Sequence, residues 1–279
     1  RTAFSPNIKE RKDFSCAIFY SNGDMVAQAA HIPVHLGSMP MSVKSAIEST
    51  DIQENDMVIL NDPYKGGTHL PDITLVAPVF CGQKKPQFFV ANRAHHADVG
   101  GMSAGSMPLS TSIFQEGIII PPLKIVNKGD IDKNILNFFL NNVRTPYERE
   151  GDITAQIMAN TTGVKRITEM VNINGLKTVK SYAEKLILYS EKILRERLLE
   201  MPDKEVVFED VMDSDGIDSK DIKIAVKIIK SGDSAVVDFS GTSPQVKGSI
   251  NAVYSITLSA VLYGFRSLIK DDVPTNAGL

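Results

Sequence analysis

No histidine occurs after position 96 of the 279 residues, and only two cysteines, Cys16 and Cys81, occur anywhere. Two unclustered thiols cannot build a zinc ribbon or a disulfide framework; each sits in an apolar, strand-like run, as a buried reduced thiol does. No apolar run approaches the ~20 residues of a membrane helix, and the polar opening Arg1 to Glu10 lacks a signal-peptide core, so a cytoplasmic, membrane-free protein is expected. Basic surplus is also lacking: 30 Lys and Arg against 33 Asp and Glu give a net charge of −3. That excludes the basic face a nucleic-acid or lipid-surface binder needs. There is no Gly-x-x-x-x-Gly-Lys-Ser/Thr loop, so no phosphate-binding loop of that kind for ATP. No internal repeat is visible.

What is present is concentrated. All five histidines lie between 31 and 96, and three fall in two acid-rich loops, Asn61-Asp-Pro-Tyr-Lys-Gly-Gly-Thr-His69-Leu-Pro-Asp72 and Asn92-Arg-Ala-His95-His96-Ala-Asp98. Neutral imidazoles with carboxylates are the donor set that zinc, manganese or ferrous iron selects. The runs Ile73–Phe80 and Gln87–Ala91, joined by the turn-rich Cys81–Pro86, predict a β-hairpin. Such a hairpin returns the chain to its start and brings Asp72 and His95 to one edge. The tandem His95-His96 point to opposite sides of an extended backbone, so only one of them binds directly.

Around this pair the patterns predict an α+β protein, with hairpins at the start, a helical middle and a second mixed region. Asn22-Gly23 marks a tight hairpin. Ser38 is the expected cap of a helix over 41–47, with Pro40 near its first turn. His31 and His35 are separated by Ile-Pro-Val, which predicts extended backbone and a structural or substrate-wall role. Residues 56–61 and 115–122 read as strands, the second broken by Pro-Pro, and the glycine-rich loop 100–108 as a surface connection or a wall of the site. Apolar spacing from Leu176 to Leu198 predicts a long amphipathic helix ending before Met201-Pro202. Strands at 206–208, 222–229 and 235–239 and a helix over 252–269 follow. The domains expected are 1–203 and 204–279, and both ends read as the interior of a longer chain.

These strings, with Glu10-Arg-Lys-Asp13-Phe-Ser15, Gln28 to Met39, Gln115-Glu-Gly117 and Asn142-Val-Arg144-Thr-Pro146, resemble the hydantoinase B family. It includes the B subunits of ATP-dependent N-methylhydantoinases, the corresponding half of 5-oxoprolinases and a large subunit of acetone carboxylases. The resemblance implies a hetero-oligomer in which an actin-like-ATPase-type A subunit uses ATP to activate a cyclic amide or ketone oxygen. The B subunit then completes ring opening or carboxylation at a divalent metal. It carries ligand roles to His69, Asp72 and His95, with Asp13 as a fourth and His96 as the alternative register.

For hydrolysis the metal (Zn, Mn or Fe) would polarise the oxygen under attack and acidify water. Asp98 or Asp62 could orient a ligand imidazole or take a proton. Gly66 and Gly67 suit either an anion contact or a tight turn. Arg93 and Arg144 could hold a carboxylate or phosphate, and Arg144 could instead pair with Glu148 or Glu150. Two other classes compete. A metallo-β-lactamase-type hydrolase would need alternating and downstream histidines that are missing. A non-catalytic, metal-stabilised assembly subunit would have a closed four-ligand site.

Overall fold

Strands buried along their whole length need cover on both faces, and two such strands carry the histidine loops. The computed structural model describes residues 3–30, 32–270 and 272–279. In chain order the elements are α1 (Pro6–Lys9), β1 (Phe14–Tyr20), β2 (Met25–Ala30), α2 (His35–Ser49), β3 (Met57–Leu60), β4 (Asp72–Val79), β5 (Phe88–His95), β6 (Leu123–Asn127) and β7 (Asp130–Ile131). Then come α3 (Lys133–Leu140), α4 (Pro146–Asn174), α5 (Leu176–Leu199), β8 (Lys204–Ser214), β9 (Lys220–Ser231), β10 (Ser234–Asp238) and α6 (Tyr254–Ser267). This is a mixed α and β fold with an antiparallel seven-stranded sheet, ordered β2-β1-β5-β4-β3-β6-β7, and a three-stranded sheet, β10-β9-β8.

The period-two alternation of β4 and β5 sorts their side chains between two cores. Ile73, Leu75, Ala77, Val79, Phe88 and Val90 pack with Ile153, Ile157, Ile167 and Val171 of α4. On the opposite face, Val76, Phe89 and Ala91 pack with Met39, Val43 and Ala46 of α2. Polar side chains lock the α4 face: Asn92 Nδ2 donates to the Gln156 carbonyl and Asn160 Oδ1, both at 2.8 Å, and Gln156 Nε2 donates to the Ile73 carbonyl at 2.9 Å. The C-terminal region folds back onto α2, where the Gly37 amide donates to Ser259 Oγ of α6 at 2.9 Å.

Several sequence expectations differ from the fold. Helix α2 begins at His35, ahead of the expected 41–47, and contains Pro40. Ser38 does not cap it; its hydroxyl donates back to the Val34 carbonyl at 3.0 Å. His35 is therefore helical rather than extended, and it is wholly buried; His31 lies outside the described residues. Residues 116–122 form no strand, because the side chain of Asn61 takes the place of a neighbouring strand. Its Nδ2 donates to the Leu70 and Ile118 carbonyls, and its Oδ1 accepts from the Ile120 amide at 2.6 Å. The hairpin of β4 and β5, the long α5 and the strands after 203 fall where the patterns placed them. Both cysteines are free, and among the described residues no helix is long and apolar enough to cross a membrane.

Candidate metal centre

Three short segments meet at the α2 side of the sheet's edge. The turn before β4 supplies His69, the first residue of β4 supplies Asp72, and the last residue of β5 supplies His95. Asp72 and His95 are register partners, and the backbone holds His69 close because the Asp72 amide donates to the His69 carbonyl at 3.0 Å. Asp72 Oδ1 lies 3.0 Å from His95 Nδ1 and 3.2 Å from His69 Nε2, and the two imidazole nitrogens are 3.2 Å apart.

This triangle fits a divalent ion. Linear hydrogen bonds cannot run along all its edges, which meet at roughly 60°, because each N–H or lone pair has one direction. Ligand atoms each ~2.1 Å from one cation lie about 3.0–3.4 Å apart, the spacing seen here. Among the described residues these three form the cluster of donors able to hold a metal. Burial pushes the Asp72 carboxyl up, but the His69 charge and the neighbouring imidazoles of His35, His69 and His95 outweigh it and hold it well below the usual carboxylate range. Burial pushes His69 down, and the Asp72 charge, its hydrogen bond and the Asp13 charge together more than reverse that. Asp13 Oδ2 stands off at 4.0 Å from His95 Nδ1, outside the triangle.

The triangle opens into a cleft of about 1060 Å³. Its walls include Asp13, Tyr64, the loop 105–113, the loop 245–253 and Ile256 of α6. Loop 105–108 is thus a wall of the site as well as a connection. Sequence reasoning missed the C-terminal wall, which has no motif and lies far away in the chain.

The family model for Hydantoinase B/oxoprolinase matches residues 1–279. The chain belongs to this family. It is 42% identical to an uncharacterised protein of Methanocaldococcus jannaschii and 38% identical to 5-oxoprolinase of Dictyostelium discoideum, in both cases over 100% of this chain. Those alignments cover 50% and 22% of the relatives, so the chain spans half or less of their length. The crystal structure of ATP-dependent caprolactamase from Pseudomonas jessenii superposes with a TM-score of 0.88 at 28% identity, covering 95% of this chain and 46% of that one.

Other residues singled out in this hydantoinase B-family chain have structural partners. Arg93 is wholly buried beneath α2. Its guanidinium donates to Thr74 Oγ1 at 2.8 Å, Ser42 Oγ at 2.7 Å, the Gly66 carbonyl at 3.2 Å and the Ser38 hydroxyl. Burial pushes it down to about 10. The same alternation that aims His95 at the site places Arg93 behind it. Arg144 pairs with Asp98 at 2.8 Å and donates to the Gly101 carbonyl at 2.7 Å, while Asp98 also accepts from the Gly100 and Arg144 amides. The two expected site residues thus clamp each other and the loop 98–101, and Arg144 does not pair with Glu148 or Glu150. Asp62 accepts from the Tyr64 amide at 2.9 Å and caps a short 3-10 turn. Neither Asp98 nor Asp62 contacts an imidazole among the described residues.

The glycines serve the turn. Gly66 has φ +90°, and a Cβ there would overlap the Ser42 amide nitrogen. The Gly67 amide already donates to the Asp62 carbonyl at 3.0 Å and is not free for an anion. His96 points away from His95, with Nε2 2.8 Å from Gln156 Oε1, and burial pushes it down to about 4.

Proposed function

We propose that this chain carries the metal centre of a B-type subunit in an ATP-dependent amidohydrolase acting on hydantoin, 5-oxoproline or a related cyclic amide. The observation that carries this reading is the convergence of His69, Asp72 and His95 at the floor of an open cleft. A bound divalent ion (Zn, Mn or Fe) would supply Lewis-acid polarisation of the amide oxygen. His69, Asp72 and His95 would hold it, with Asp13 as the nearest further carboxylate. The cleft walls would orient the ring and exclude bulk water, and the exposed edge of His69 faces that space. ATP would be used by an actin-like A-type partner in a cytoplasmic hetero-oligomer. The likeness to an enzyme described as an ATP-dependent caprolactamase supports this, as does the lack of a phosphate-binding loop of the Gly-Lys-Ser/Thr kind in this sequence.

The test is turnover. The full-length protein with its cognate ATPase subunit should open a cyclic amide only with ATP, and Asp72→Ala should abolish this without dissociating the complex. ATP hydrolysis by the purified chain alone, or ester hydrolysis that needs metal but no ATP, would overturn the reading.

A further inference from the structure

The two oxygens of Asp72 face different neighbours. Oδ1 belongs to the triangle with His69 and His95. Oδ2 turns the other way, accepting from the Thr68 hydroxyl, with His35 Nε2 at 3.5 Å. His35 is fixed from behind, its Nδ1 2.8 Å from Ser15 Oγ of β1. Its Nε2 is buried and has no hydrogen-bond partner among the described residues. A buried donor without a partner is costly, and Oδ2 is the carboxylate oxygen that this one faces.

The chemistry of the partners gives each group its role. The Ser15 hydroxyl can donate to His35 Nδ1, which puts the ring proton on Nε2, facing the carboxylate. Thr68 is nearly buried and precedes His69 directly, so its hydroxyl moves with a ligand-bearing turn. Both donors compete with a cation for Oδ2, whereas Oδ1 is left to the triangle. A carboxylate free to swing could bind an ion through both oxygens and take up a further coordination position.

We propose that Thr68 and His35 are positioning residues that hold Asp72 Oδ2 and so restrict Asp72 to binding a divalent ion through Oδ1 alone. This rests on the metal-centre reading above and adds to it how Asp72 is kept to a single donor atom.

The test uses the full-length chain loaded with cobalt(II), whose visible absorption weakens as its coordination number rises. Thr68→Val removes the hydroxyl at nearly constant volume, and it should weaken metal affinity roughly 10–100-fold in chelator competition and lower the visible absorption per bound ion. Thr68→Ser should restore both, and His35→Phe should change the spectrum in the same direction as Thr68→Val. If Thr68→Val fails to fold, His35→Phe with Ser15→Ala carries the test, and wild-type spectra in both would overturn the proposal. Wild-type affinity and spectrum in Thr68→Val, alongside metal loss in Asp72→Ala, would overturn the positioning role and leave the metal centre standing. Undiminished binding in Asp72→Ala would overturn both.

Discussion

Asp72 and His95 face each other across one rung of an antiparallel ladder, with the carboxylate 3.0 Å from the imidazole, although 23 positions separate them in the chain. A hairpin makes that pairing rigid, so the placement of these two donors depends on few loop degrees of freedom.

Metal content follows directly. Purified wild-type protein should retain a divalent ion after mild loading, and His69→Ala should lose it, because two remaining donors cannot hold it comparably. Elemental analysis of both proteins decides this, and equal content would remove His69 from the ligand set.

The tandem histidines should separate cleanly. His95→Ala is expected to abolish metal retention. His96→Ala is expected to keep the ion but destabilise the fold by about 1–3 kcal/mol, since it breaks a buried hydrogen bond to Gln156. Denaturant melts alongside metal analysis would show it; the reverse pattern would shift the register by one.

Arg93 should behave as a structural residue. Arg93→Ala removes a buried cation near the Asp72 charge and leaves the hydroxyls of Thr74 and Ser42 short of a donor. It should cost about 3–5 kcal/mol in urea unfolding. Arg93→Lys should not rescue it, because an ammonium cannot reproduce the fork.

Gly66→Ala should destabilise by about 2–4 kcal/mol through positive-φ strain and overlap with α2. Thermal melting measures this, and an unchanged melting temperature would show that the turn can move away from the helix.

Asp215 gives a pH dependence. Backbone amides of Ile217, Gly248, Ser219 and Asp218 hold its carboxyl at about 2, below the ordinary 3.8. A depressed carboxylate stabilises the fold fully above 3.8 and loses that contribution as pH falls towards about 2. The difference in unfolding midpoint between wild type and Asp215→Asn should therefore shrink across that window, and a pH-independent difference would contradict the amide contacts.

The elements with local signals were readable from the chain alone. Apolar alternation on both sides of Cys81–Pro86 specified the hairpin and, through its register, the Asp72–His95 pairing. Spacing over 176–198 specified α5, and two histidines with an aspartate marked the donors that the fold brings together. Tertiary structure decided the rest, because those outcomes depend on what lies across a packed interface. Packing under α2 buried Arg93, and Asp98 and Arg144 found each other across 46 positions. His35 reached Asp72 because α2 starts earlier than its prolines suggest, and the wall 245–253 reached the cleft because α6 packs on α2. Period and spacing record which face a side chain takes; they carry no record of which distant element covers that face.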